Sequence, residues 1–143
     1  MIRATYDTNI LVSGTTISQG PVSLVIDAWI NDDVDMITSE PLIEELTRTL
    51  AKPYFTSRLS PQQTQAFINL VQIRATVVPI TTPIPKVATH PEDDIVLATA
   101  ESGSASYIVT GDQGLQDLKE FKGIQIVDPR VFTNILQTEK AEG

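Results

Sequence analysis

Four carboxylates occur where short apolar runs stop or begin along this sequence. They are Asp7, Glu45, Asp93 and Asp112. In an open α/β sheet, the ends of parallel strands and the first turns of the following helices form one rim, where ligands bind. Carboxylates gathered on that rim repel one another unless a cation joins them, and oxygen ligands favour Mg²⁺ or Mn²⁺. The pattern therefore predicts a divalent metal site.

Each acid also has a local interpretation that involves no ligand. An aspartate in Asp7-Thr8-Asn9 commonly accepts hydrogen bonds from nearby backbone N–H groups. Glu45, beside Glu44, is by default a solvated helical glutamate. The acids at 92–94 suit the first turn of a helix, and Asp112 suits an N-cap. Three consecutive acids nevertheless exceed what capping needs, so the combination favours a site more than any single member does.

The composition narrows the chemistry further. The 143 residues include no cysteine and one histidine, His90, which excludes disulfides, thiolate chemistry and a histidine-rich metal site. We interpret His90 as a loop residue rather than a ligand. The net charge of −8 opposes binding of nucleic acid by bulk electrostatics, although bound cations would cancel part of it.

Apolar runs that alternate with helical patterns predict the fold. The expected strands are residues 2–6, 34–38, 75–80, 107–110 and 124–127. Because these runs are continuously apolar, they predict a three-layer α/β/α sandwich around a five-stranded, mainly parallel sheet. Residues 1–136 form one domain in this interpretation, and residues 137–143 fray. No signal-peptide pattern and no apolar run of ~20 residues is present, which predicts a cytoplasmic protein without a membrane span.

Four motifs, taken in order, resemble the PIN-domain family of metal-dependent ribonucleases, especially its bacterial toxin-like branch. They are residues 7–13, 39–46, 91–100 and 108–112, and the resemblance spans about residues 2–131.

The resemblance implies a role for each site residue. It places the family's acids at Asp7, Glu45 (rather than Glu44), Asp93 and Asp112, with Asp94 as the alternative third acid. Asn9, Ser13 and Thr110 match positions that support the acids through hydrogen bonds. Relatives often carry Asp at the positions of His90 and Gly114, so a second metal position is weakened here.

The implied function is an endoribonuclease of a toxin–antitoxin pair. Asp7, Asp93 and Asp112 would hold one or two Mg²⁺ or Mn²⁺ ions, and Glu45 would complete the charge and orient the attacking water. The expected partners are an RNA substrate, a cognate antitoxin protein and a second copy of the chain in a homodimer.

Two alternatives remain open from the sequence. A phosphoacceptor domain would use Asp7 as nucleophile, but it needs a lysine near the sheet end, and none follows Thr110 before Lys119. A non-catalytic PIN-like module would bind only protein or RNA. Basic residues that could form a modest RNA path are Arg3, Arg48, Lys52, Arg58 and Arg74.

Overall fold

The computed structural model describes residues 1–88 and 90–142, in which strands and helices alternate. The strands are β1 Ile2–Tyr6, β2 Val34–Thr38, β3 Thr76–Val77, β4 Tyr107–Val109, β5 Glu120–Phe121 and β6 Ile124–Val127. The helices are α1 Thr8–Gly14, α2 Pro21–Ile30, α3 Glu40–Leu50, α4 Pro53–Thr56, α5 Pro61–Arg74, α6 Pro91–Ser102, α7 Gln113–Leu118 and α8 Pro129–Glu142. None of the helices within these described ranges is long and apolar enough to cross a membrane.

The strands form one sheet in the order β3-β2-β1-β4-β6-β5, and only β5 runs antiparallel to its neighbour. The chain moves from β1 to β2 on one side and later returns to β4 on the other side of β1. The strand order therefore reverses between β1 and β4, and ligands bind at such a reversal, beyond the carboxyl ends of the strands.

Two hydrophobic clusters cover the two faces of the sheet. Met36 of β2 packs on one face with Trp29 of α2 and Phe132 of α8. Ile37 and Ile108 pack on the other face with residues of α6 and α7. Consecutive residues of a strand point to opposite faces, so a sheet buried on both sides requires continuously apolar strands. The predicted α/β/α sandwich is confirmed.

Several helices begin at a proline or follow a serine. Ser60 Oγ accepts from the Gln63 N–H at 3.1 Å, and the Gln63 side chain accepts from the Ser60 N–H at 2.8 Å, a complete capping box. Ser39 precedes α3, but its hydroxyl does not cap that helix. It instead lies 2.8 Å from the hydroxyl of Thr99 in the buried interior.

The structure contains two short helices, and one strand is shorter than the sequence predicts. Helix α1 begins directly after Asp7, and its residues 10–12 are buried in the core. Helix α4 adds one turn after α3. Strand β3 covers only residues 76–77 of the predicted 75–80, and Pro79, which has no N–H, prevents longer regular pairing.

The sheet has six strands rather than five. The additional strand, β5, forms a hairpin with β6, in which Glu120 pairs with Gln125 and Phe121 with Ile124. Both turn residues of this hairpin, 122 and 123, have positive φ, as the favoured two-residue hairpin turns require.

The C-terminal helix is longer than predicted. It continues to Glu142 instead of fraying after Leu136, and Gly143 lies outside the described residues. Lys140 in its last turns forms an ion pair with Asp33 at 3.1 Å, and a cation near a helix C-terminus also interacts favourably with the helix dipole. Helix α8 therefore includes residues 137–142, which were expected to fray.

Candidate active site

Asp7 lies at the carboxyl end of the central strand β1, and two side chains hold its carboxylate. Thr110 Oγ1 donates to Asp7 Oδ2 at 2.7 Å, and Asn9 Nδ2 donates to the same oxygen at 3.1 Å. Asn9 Oδ1 also accepts from the Gly111 N–H at 3.3 Å. Asp7 is only 5% exposed. Asn9 and Thr110, both predicted as supporting residues, thus bind the acid directly.

Asp112 begins α7 and belongs to the same hydrogen-bond network. Its backbone N–H donates to Thr110 Oγ1 at 2.9 Å, and its Oδ2 accepts from the Leu115 N–H at 2.8 Å. The second bond is an N-cap. Capping engages only one of the two carboxylate oxygens of Asp112. Asp112 can therefore be both the N-cap of α7 and a residue of the site.

Glu45 and Glu44 are adjacent on α3 but differ in environment. The buried side of α3 consists of Leu42, Ile43, Leu46 and Leu50. Glu45 is half-buried at the edge of this apolar side and lines the same cavity as Asp7, whereas Glu44 is exposed. The structure thus places Glu45, not Glu44, beside the other acids, as the resemblance implied.

Asp93 and Asp94 also differ, although both lie in the first turn of α6. Asp93 lines the cavity with Asp7. Asp94 is 7% exposed, and its Oδ1 accepts from the N–H groups of Val87 and Ala88 at 3.2 and 3.0 Å. Asp94 therefore anchors the loop before α6, and Asp93 is the acid that faces the cavity.

One open cavity of about 400 Å³ collects all four predicted acids. The carboxylates that line it are Asp7, Glu45, Glu92, Asp93 and Asp112. Its other polar lining residues are Asn9, Arg48, Thr49, Lys52 and His90. The cavity lies where the strand order reverses, so the sheet topology brings together acids that are far apart in sequence.

The electrostatics of the cavity follow from burial and from like charges. Burial is the main cause that raises the pKa of Asp7, with a further contribution from Asp112, while the Thr110 hydrogen bond opposes it. Burial and the charge of Asp7 raise the pKa of Glu45. Burial, Asp112 and Asp7 together raise the pKa of Asp93 to about 6. Carboxylates with raised pKa values in one cleft are typical of a functional site.

Comparison with known proteins gives the family. The PIN domain family model matches residues 3–114, which include all four acids. This chain belongs to the PIN domain family. No curated protein matches its sequence.

Three solved structures share the fold of this PIN domain. VapBC2 from Rickettsia felis, bound to a DNA fragment from its promoter, has a TM-score of 0.62 and 11% identity and covers 89% of this chain and 98% of its own. PAE2754 from Pyrobaculum aerophilum has a TM-score of 0.62 at 18% identity, with 96% and 90% covered. DNA-bound VapBC from Salmonella typhimurium has a TM-score of 0.61 at 18% identity, with 90% and 99% covered.

The donor chemistry of this PIN domain suits a hard divalent cation. Five carboxylates line one cavity. Carboxylate oxygens are ligands that Mg²⁺ and Mn²⁺ accept. As the side chains stand, however, no group of three His, Asp or Glu residues in the described part of the chain is arranged to hold a metal ion. The side chains would have to draw together around a cation that offsets their repulsion.

One predicted supporting residue lies away from the cavity. Ser13 is near the end of α1, about 9 Å along the helix axis from Asp7 at 1.5 Å per residue. Among the described residues, its side chain forms no hydrogen bond with an acid of the cavity. The structure thus gives no support for the prediction that Ser13 holds the acids.

Sequence reasoning missed several residues of the cavity wall. Glu92 was not among the predicted site residues, yet it lines the cavity, and its charge contributes to the raised pKa of Glu45. Arg48 and Lys52 were predicted only as parts of an RNA path, and both line the cavity. Arg48 follows Glu45 by three residues on α3, a spacing that places the two on one side of the helix, whereas Lys52 lies beyond the end of α3. His90, interpreted as a loop residue, precedes α6 and also lines the cavity.

Proposed function

We propose that this PIN domain is a metal-dependent endoribonuclease that hydrolyses RNA phosphodiester bonds. The observation that supports it is the convergence of Asp7, Glu45, Asp93 and Asp112, from four separate segments, into one cavity. Burial and mutual repulsion raise the pKa values of three of these acids, because both disfavour the charged carboxylates. A bound cation would offset this destabilisation of the charged form. The family membership supports a nuclease as the reaction class.

The roles of the acids follow from their surroundings. Asp7, Asp93 and Asp112 would hold Mg²⁺ or Mn²⁺, with Asp7 oriented by Thr110 and Asn9. When bound, such a cation lowers the pKa of a water molecule and offsets negative charge at the reacting phosphate. Glu45 lies at the edge of the cavity, where its carboxylate accepts a hydrogen bond from the attacking water and orients it.

The biological role that we propose is the toxin of a toxin–antitoxin pair in the cytoplasm. The resemblance to the toxin-like branch supports it, as do two structural neighbours that are VapBC structures with bound DNA. A cognate antitoxin would cover the acidic cavity with a basic side chain, and two copies of the chain would form a homodimer. Growth arrest on expression of the wild-type chain, absent with Asp7→Asn, is the expected result in cells.

The proposal is tested by cleavage of labelled single-stranded and structured RNAs in Mn²⁺, Mg²⁺ or EDTA. Loss of a residue that only supports a metal ligand costs about 10- to 100-fold, so Asp7→Asn should lower the rate by more than about 100-fold. Asp117→Asn, at an exposed helical position, is the matched control and should cut like the wild type. Undiminished cutting by Asp7→Asn would refute the proposed site.

A non-catalytic binding module is the second candidate. The observation that favours it is that, within residues 1–88 and 90–142, no three acids already stand in a metal-holding arrangement. Calorimetric titration with Mn²⁺ separates the two functions. A nuclease should bind Mn²⁺, and Asp7→Asn and Asp112→Asn should each abolish this binding. A binding module should show no Mn²⁺ binding that depends on these acids.

A further inference from the structure

The segment between Glu45 and Glu92 is the basic part of an acidic chain. Residues 46–91 contain no Asp or Glu, although the chain as a whole has a net charge of −8. The basic residues of this segment are Arg48, Lys52, Arg58, Arg74 and Lys86. The acids that flank the segment both line the active-site cavity, so the acid-free segment starts and ends there. The segment therefore carries a net positive charge within an acidic chain, of the sign that attracts phosphates.

Arg48 and Lys52 are the basic residues of the segment that line the cavity itself. Arg48 lies in the last turn of α3, and Lys52 lies just beyond that helix, as the residue before α4. Arg74 is already engaged in an ion pair with Asp32 at 3.0 Å. Among the described residues, neither Arg48 nor Lys52 forms an ion pair. Both are exposed and available to contact backbone phosphates, which position a nucleic acid without reading its sequence.

Tyr54, two residues after Lys52, is the exposed aromatic side chain of this surface. All eight aromatic residues lie in the described ranges, and Tyr54 alone is exposed, at 55%. Its ring contacts the edge of Phe55, with the centroids 4.9 Å apart. An exposed aromatic ring beside basic residues is the arrangement on which unpaired nucleobases stack.

Arg58 is held against the Tyr54 ring before any ligand binds. Its guanidinium lies over the Tyr54 ring, 3.7 Å from the ring centroid. Nη1 of Arg58 also donates to the Tyr54 carbonyl oxygen at 2.7 Å and to Ser57 Oγ at 3.2 Å. Because these bonds fix the guanidinium, a stacking ligand immobilises fewer side-chain torsions on binding. The guanidinium covers one face of the Tyr54 ring, so a base that uses both side chains stacks on the outer side of the exposed guanidinium plane.

We infer that Tyr54 and Arg58 form a base-stacking subsite for an unpaired nucleotide next to the cleavage site, while Arg48 and Lys52 contact the adjoining phosphates. Bases inside a duplex are already stacked on their neighbours, so the strand that enters this subsite is single-stranded. The subsite binds any base, since every base offers a flat face. The inference rests on the proposed function for the identity of the ligand as RNA.

The test measures binding rather than cleavage. A fluorescein-labelled single-stranded RNA of about 12 nucleotides is titrated with the full-length Asp7→Asn protein in Mg²⁺ and followed by anisotropy. Added to this background, Tyr54→Ala should weaken binding by about 10-fold, and Tyr54→Phe, which keeps the ring, should bind like the parent. Arg130→Ala removes an exposed basic residue elsewhere and should change nothing. Thermal melts establish that each variant is folded.

Duplex RNA and salt dependence complete the test. Binding of a duplex with the same sequence should not respond to Tyr54→Ala. Arg48→Ala and Lys52→Ala should each reduce the slope of log affinity against log salt by about 0.7, the value for one phosphate contact in a single strand. Parent-like binding of single strands by Tyr54→Ala, or an equal loss for duplex and single strand, would overturn the inference. So would a surface that binds an acidic peptide but no RNA.

The outcomes for this inference and for the proposed function are separate. If the wild type cuts no RNA in Mn²⁺ but single-strand binding still depends on Tyr54, the subsite stands and the nuclease proposal fails. If the wild type cuts RNA while Tyr54→Ala binds and cuts like the parent, the nuclease stands and the subsite fails.

Discussion

The hydroxyl of Thr110 joins the ends of two neighbouring strands by donating to Asp7 Oδ2 at 2.7 Å. Thr110 Oγ1 in turn accepts from the backbone N–H of Asp112 at 2.9 Å. One uncharged, fully buried side chain thus connects two of the four acids at the point where the strand order reverses. The relative position of Asp7 and Asp112 therefore depends on a residue that adds no charge to the group of mutually repelling carboxylates.

Replacing Thr110 should impair the site more than the fold. Thr110→Val keeps the shape but removes the donor to Asp7, and it leaves the Asp112 N–H without its acceptor. We expect RNA cleavage to fall by about 10- to 100-fold and Mn²⁺ to bind more weakly. Thr47→Val, which removes only a bond within α3 to the Ile43 carbonyl, is the control and should retain activity. Equal rates for both variants would contradict a positioning role for Thr110.

The adjacent glutamates of α3 provide a matched pair of variants. Glu45→Gln should lower the cleavage rate by about 100-fold or more, because it removes the carboxylate that we propose orients the attacking water. Glu44→Gln changes the same charge by the same amount at an exposed position and should cut like the wild type. Single-turnover rates at saturating Mn²⁺ make the comparison. A larger loss in Glu44→Gln would show that the assignment of Glu45 is wrong.

Substitution of Asp93 should affect activity, whereas substitution of Asp94 should affect stability. Asp93→Asn should lose cleavage with its fold intact, since its carboxylate faces the cavity. Asp94→Ala removes the buried acceptor for the N–H groups of Val87 and Ala88, which should lower the free energy of unfolding by about 1–3 kcal/mol. Urea unfolding and cleavage assays on both variants test this division. The reverse pattern would identify Asp94 as the catalytic acid.

Close packing between α6 and the sheet predicts a stability effect at Gly103. A Cβ added there would lie 2.3 Å from Ile37 Cγ2, closer than two carbon atoms can approach. Gly103→Ala should therefore lower the free energy of unfolding by about 1–3 kcal/mol. At Gly111 the nearest atom to an added Cβ is 3.8 Å away, so Gly111→Ala should be tolerated in the same urea titration. Equal stability of both variants would show that the sheet shifts freely at Ile37.

The sequence could predict the sheet and the acids because both depend on local patterns. Mostly apolar runs indicated β1, β2, β4 and β6, since a strand buried on both faces has no regular polar side. Asp7 was predictable because it directly follows β1, and Asp112 because it lies three residues after β4. Their convergence followed from the rule that parallel strands end at the same edge of a sheet.

The remaining features depend on contacts that the sequence does not display. The assignment of Asp94 to the loop required the positions of the Val87 and Ala88 N–H groups. The end of α8 also contacts a distant part of the chain, since Lys140 forms an ion pair with Asp33. Tyr54 could not be recognised as exposed from its type, because an aromatic residue near a helix is by default a core residue.

The metal-free protein should become less stable as the pH rises through the range in which Asp93 ionises. Its carboxyl pKa is raised from 3.8 to about 6 in the folded chain, first by burial and then by the charges of Asp112 and Asp7. Between these two values the native state holds a proton that the unfolded state has released. The free energy of unfolding therefore falls as pH rises through this window and levels off above about pH 6.

Asp93→Asn isolates this contribution, because the amide does not titrate. The stability difference between the variant and the wild type in EDTA should shift in favour of the variant as pH rises from about 4 to about 6, and then remain constant. Mn²⁺ at pH 7.5 should raise the melting temperature of the wild type more than that of the variant, since a ligand stabilises the state that binds it. A stability difference independent of pH would show that the neighbouring acids do not act on Asp93.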